Sequence, residues 1–112
     1  MTQLTEDLKA LHQLFANKTR WTTHNYAKNK TGRSVKALSK AATCWCLLGG
    51  ISKITGLDNS KSAFGDPRYE ELREAVRAAA GTDCDGSLVD LNDEGGLPAV
   101  RRTIRAAIKA AA

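Results

Sequence analysis

Residues 42–51, ATCWCLLGGI, form the stretch that most limits what this chain can become, because they are uncharged and nearly all apolar over ten positions. A helix that is apolar on every side has no face to give to water, so other elements have to surround it. The surrounding segment 39–55, SKAATCWCLLGGISKIT, ends at Gly56, a residue suited to the left-handed position just past a helix. The spacing predicts a buried helix over 39–55, formed despite two interior glycines that each cost about 1 kcal/mol relative to alanine. Gly49 and Gly50 would let a neighbouring backbone come close, and Cys44 and Cys46 would fill space around Trp45, Leu47, Leu48 and Ile51.

Elements able to enclose such a helix are legible on both sides of it. Leu4, Leu8, Leu11 and Phe15 recur at helical spacing, with Leu14 widening the stripe and Thr2 or Thr5 available as the N-cap; this predicts an amphipathic helix over 3–17. Between Arg20 and Leu38 the helical period is lost. Trp21, Thr22 and Thr23 favour extended backbone, and Asn29-Lys30-Thr31-Gly32 has turn chemistry, so an irregular or short β-hairpin segment is expected there. Asp66-Pro67 reads as an N-cap followed by proline at the first helical position, opening a third helix with Tyr69, Leu72, Val76 and Ala79 or Ala80 inward and Gly81 as its stop. Residues 82–96 read as an acidic loop with one short strand at 87–91. Pro98 then opens the last helix, with Val100, Ile104, Ala107, Ile108 and Ala111 as its buried stripe.

Aromatic residues are only 5% of the chain and alanine supplies much of the 42% that is apolar, which suits close-packed helices rather than a sheet sandwich. The expected fold is mainly α with minor β: one compact domain over 1–112, four helices, and the hairpin-like segment between the first two. The first fifteen residues carry acids where a secretory signal would carry bases, and no apolar run is long enough to span a bilayer. A cytoplasmic protein with no membrane partner is therefore expected. In a reducing compartment the three cysteines read as thiols rather than disulfides.

Charge is unevenly placed. The chain carries a net +5, yet residues 1–56 hold nine Lys or Arg against two acids, whereas 57–112 hold eight against ten. Seven of the bases fall within 18–40, a stretch without Asp or Glu that also contains Trp21, His24 and Tyr26. Such a stretch could follow a phosphate backbone and stack bases, and Lys28, Lys30, Arg33 and Lys36 are the candidate nucleic-acid or anion contacts. The preferred reading is a solvated basic loop with Trp21 and Tyr26 turned into the core.

Chemistry is harder to find. Cys44, Cys46, Cys84, His12 and His24 are enough ligands for a metal in number, but C-x-C is not a structural zinc spacing, and on a helix the two thiols would point about 160° apart. Asp83, Asp85, Ser87 and Glu94 match four positions of a calcium loop, but Leu88 stands where the turn needs glycine. No metal and no cofactor is expected. A catalytic thiolate at Cys44 or Cys46 would need a helix N-terminus or a base such as His24 to lower its pKa; packing is the preferred role for both.

Trp21-Thr22, Tyr26-Ala27, Gly32, the 42–51 stretch and Leu91-Asn92-Asp93 occur in the order in which an uncharacterised family of small bacterial and phage proteins carries a tryptophan, a Tyr-Ala pair, a C-x-x-G-A core motif and a W-N-D motif. The chain resembles that family from about residue 4 to residue 110. Gly50 stands in place of the motif's alanine and Leu91 in place of its tryptophan. The resemblance implies a domain of unknown function without established catalytic residues, and it draws attention to Cys46, Gly49, Asn92 and Asp93. Local turn or cap bonding is the simple reading of Asn92 and Asp93. The sharper one is a pocket in which His24, Cys46, Asn92 and Asp93 converge on a small polar ligand, with help from Lys or Arg of the basic stretch.

Function is expected along three lines. The first is a non-enzymatic accessory protein of phage or mobile-element type that binds a protein partner, one version being a block on a host defence complex; its mark would be exposed apolar residues rimmed by charge. The second is a nucleic-acid or nucleotide binder using 18–40, and the third a cysteine-dependent enzyme. Oligomeric state is not legible in the residues.

Overall fold

A computed structural model describes residues 2–57, 66–81 and 88–112 of the chain. The elements of these residues include four helices and a small three-stranded sheet: α1 (Gln3–Leu14), β1 (Ala27–Lys28), β2 (Ser34–Val35), β3 (Cys44–Trp45), α2 (Leu47–Thr55), α3 (Pro67–Ala80) and α4 (Leu88–Ala111). The fold is mainly α, with the minor β element between the first two helices.

Helix α1 begins where Thr2 accepts the backbone N–H of Thr5 at 3.2 Å and ends at Phe15, shorter than the expected 3–17. Its end is closed from outside: the Arg101 guanidinium donates to the carbonyls of Phe15 and Ala16, both at 2.9 Å. A turn of 3-10 helix over Lys18–Arg20 follows. The turn at Asn29–Gly32 makes a hairpin because the Asn29 side chain accepts from the N–H groups of Thr31 and Arg33, both at 3.0 Å, and Gly32 takes φ 85°. Strand β1 lies between its neighbours, pairing antiparallel with β2 (Ala27 opposite Val35) and with β3 (Ala27 opposite Trp45).

The expected helix over 39–55 is corrected at its front. Residues 44–45 form β3, and helix begins only at Leu47. The reason is tertiary: β1 offers an open edge, taken by Thr43 N–H to Lys28 O at 2.9 Å and Cys46 N–H to Tyr26 O at 3.2 Å. Cys46, in extended conformation, becomes the N-cap of α2, its Sγ accepting from Gly49 N–H at 3.4 Å. Cys44 and Cys46 are therefore a strand residue and a cap, not two residues of a helix. The remaining short helix is enclosed as its composition demands. Leu47, Gly49, Gly50, Ile51, Ser52 and Thr55 are buried, and α2 touches α1, α3 and α4.

Asp66 caps α3 by accepting from Arg68 and Tyr69 N–H, with Pro67 in the first turn, as its sequence predicts. Buried Asp7 of α1 receives Arg68 Nε at 2.9 Å and Nη2 at 2.8 Å, joining the two helices. The acidic connection before Pro98 is also corrected. Residues 88–95 are helical rather than strand or loop, and Gly96 (φ 76°, ψ 178°) breaks α4 before Pro98 restarts it. Leu88 and Asn92 one turn apart are both buried, so packing of that turn decides for helix over local preference. Asp83, Asp85 and Ser87, from the rejected match to a calcium loop, lie outside the described residues, as does Cys84.

Candidate ligand cleft

The first half of α4, before its break, is tied by Asn92 to the N-terminus of α2 and to Trp21 and Thr22, which lead into the hairpin. Its side chain is fully buried. Oδ1 accepts from Trp21 Nε1 at 2.7 Å and from Leu47 N–H at 3.0 Å, and Nδ2 donates to Thr22 O at 3.0 Å and to Asp93 Oδ1 at 2.9 Å. Both acceptor directions and both donor directions of the amide are used. Asn92 is thus a long-range tie and not the local turn former its sequence context suggests.

Asp93 carries the network to the surface. Its Oδ1 also accepts from His24 N–H at 3.1 Å, and its Oδ2 stands 3.4 Å from His24 Nδ1. His24 has φ 68°, the one non-glycine residue at positive φ among those described. Such backbone costs about 1 kcal/mol or more and persists only where surrounding contacts impose it. Here the Asp93 carboxylate imposes it, holding an imidazole whose side chain is 75% exposed.

Beside this pair opens a cleft of about 310 Å³ lined by His24, Asn25, Tyr26, Ser34, Val35, Cys46, Val89 and Asp93. Three of the four residues expected to converge do line it: His24, Cys46 and Asp93. Asn92 does not line it and acts through Asp93. Lys28, Lys30, Arg33 and Lys36 are carried by the hairpin and none lines the cleft, so the expected help from the basic stretch is absent from it. The expectation that Tyr26 turns into the core is corrected: Tyr26 is 45% exposed at the cleft, and only Trp21 is drawn inward, to Asn92. Val89 was hidden from sequence reasoning because it sits on the misread turn of α4, where Val89 and Asp93 share a face at i, i+4.

Cys46, His24 and Asp93 on one cleft have the composition of a thiol-imidazole-carboxylate site. The thiol does not have the state such chemistry needs. Burial pushes Cys46 above its ordinary value of 9.0, outweighing the N–H groups of Gly49 and Leu48 that draw it down, and Asp93 pushes it further up. Native Cys46 is therefore expected to react with iodoacetamide at pH 7.5 at least tenfold more slowly than in the urea-unfolded chain, read by peptide mass mapping. Equal rates would mean the thiol is open and activated. The same burial sets a pH dependence. Below the ordinary value both folded and unfolded chains hold the proton; above it the unfolded chain loses the proton first, so stability falls as pH rises past about 9.

Among the described residues no three His, Cys, Asp or Glu side chains stand together as a metal ion would need, and no helix is long and apolar enough to cross a membrane. Compared with known families, residues 1–112 match the model of a family of unknown function, DUF6197. The chain belongs to that family. No match was found among curated proteins or among solved structures.

Proposed function

We propose that the chain is a non-enzymatic binding protein that engages a partner protein through the His24–Asp93 cleft. One observation carries the reading: Tyr26 and Val89, two of the three exposed large apolar side chains among the described residues, stand on the same cleft. An exposed tyrosine beside a concave apolar wall, with an imidazole fixed at its rim, is the arrangement of an interface anchor. The anchor is pre-organised, because Asn92 and Asp93 hold the strained His24 before any partner arrives, which lowers the ordering cost of association. Val35 of the cleft belongs to a hairpin bearing Lys28, Lys30, Arg33 and Lys36, and no Asp or Glu occurs between Asp7 and Asp58. The partner surface that fits is an apolar knob with acidic neighbours. A block on a host defence complex is one activity such a module would serve.

The test is photo-crosslinking from position 26 in nuclease-treated lysate, with position 38 as the exposed apolar control, followed by affinity measurement on the captured protein. Tyr26→Ala is expected to weaken that complex roughly thirtyfold, about 2 kcal/mol, with unchanged circular dichroism. Capture that is equal from positions 26 and 38, or indifferent to Val89→Ser, would sink the reading. A reaction catalysed by the protein and abolished by Cys46→Ser with binding intact would replace it with the cysteine-enzyme reading.

A further inference from the structure

A second concave face of the molecule shares no residue with the cleft. Two adjoining depressions meet at Gln13 and Arg20: one is lined by Ala16, Asn17, Lys18 and Arg101, the other by Lys9, Ala10, Leu14, Lys53 and Ile54. No carboxylate lines either. The cations come from four separate places, α1, the 3-10 turn after it, α2 and α4, so folding alone gathers them. Two of them are fixed in position. Arg101 is held by the carbonyls of Phe15 and Ala16, and the Lys53 ammonium lies 5.4 Å from the centre of the Trp45 ring. The carboxylates of Asp7, Glu70, Glu74 and Asp93 pair with Arg68, Arg73, Arg77 and His24 rather than with Lys18, Arg20, Lys53 or Arg101.

We propose that this trough binds the phosphodiester backbone of a nucleic acid. Cations spread over two joined depressions suit successive phosphates better than the single phosphate group that one cradle would hold. No aromatic ring lines either depression, so bases are not stacked there. The ligand is read by its backbone charge, without sequence preference. This surface differs from the one that charge counting along the chain selects. Only Lys18 and Arg20 come from the basic stretch; Lys53 and Arg101 are supplied by distant elements, and Lys28, Lys30, Arg33 and Lys36 are not part of it. The proposal is independent of the partner-protein reading of the cleft.

The experiment is fluorescence anisotropy of labelled 20-nucleotide single-stranded DNA, the corresponding duplex, and RNA, from 50 to 200 mM salt. Four phosphate contacts predict that the logarithm of duplex affinity falls against the logarithm of salt with a slope of about −3 to −4. Arg20→Glu combined with Lys53→Glu is expected to weaken binding at least tenfold. The charge-matched control Lys30→Glu with Arg33→Glu is expected to change it less than threefold, and both proteins are checked for native circular dichroism. Equal weakening by the two pairs would assign binding to diffuse charge and overturn the trough. So would absence of binding at 50 mM salt, or binding of inorganic polyphosphate alone. Tyr26→Ala, which breaks the proposed protein contact, is expected to leave nucleic-acid affinity unchanged, so either reading can fail without the other.

Discussion

Replacing Asn92 by alanine is expected to destabilise the protein by about 4 kcal/mol, because it strands buried groups instead of merely deleting a contact. The amide of Asn92 receives Trp21 Nε1 and Leu47 N–H and donates to Thr22 O and Asp93 Oδ1. Leu47 N–H lies at the start of α2, where an unpaired donor finds no water; each such orphan costs about 1–3 kcal/mol. At a urea dependence of about 2 kcal/mol per molar, the unfolding midpoint should fall by about 2 M. Asn92→Asp keeps the acceptor but loses both donors and sets a second carboxylate against Asp93, so it should not rescue. A fall below 1 kcal/mol in Asn92→Ala would show that the network relaxes into another bonding pattern. His24 is a local readout of the same change. With Asp93 no longer held, the residue should leave positive φ, and its backbone amide should exchange with solvent faster.

Gly49→Ala is expected to cost about 3 kcal/mol, a large effect for one methyl group. Its Cβ would overlap the carbonyl oxygen of Tyr26. That carbonyl cannot swing away freely, since it accepts Cys46 N–H at 3.2 Å and so holds the junction of β3 with α2. The neighbouring Gly50→Ala makes the comparison informative. There the added atom would meet the Phe15 ring at 2.7 Å and a Leu11 methyl at 3.1 Å, side chains that can shift by rotation where a backbone carbonyl cannot. Thermal unfolding of the two variants should therefore rank Gly49→Ala as the less stable, and the reverse order would mean that the hairpin yields more easily than the core. Because Tyr26 stands at the cleft, Gly49→Ala should also weaken partner binding through its backbone.

Sequence alone determined the helical elements whose apolar spacing and end signals agree. The stripe Leu8, Leu11 and Phe15, the Asp66-Pro67 start, the Gly56 and Gly81 stops and the Asn29–Gly32 turn depend on neighbours within a few residues, and each is found where local chemistry puts it. The same holds for the enclosure of α2, since a segment with no polar face leaves only one arrangement against water. Tertiary structure decided the rest by supplying partners far along the chain. Residues 44–45 are strand because β1 has an open edge, and residues 88–95 are helix because Leu88 and Asn92 are buried together. The cleft shows the same division. His24, Cys46 and Asp93 were recognisable as reactive types, but their shared position depends on Asn92 bonding across some seventy residues to Trp21 and Thr22. The basic trough is less legible still, since Arg20, Lys53 and Arg101 come to line adjoining depressions only when three separate elements pack. Local preference acts over one or two turns, whereas a buried hydrogen bond or a shared face can override it from any distance in the chain.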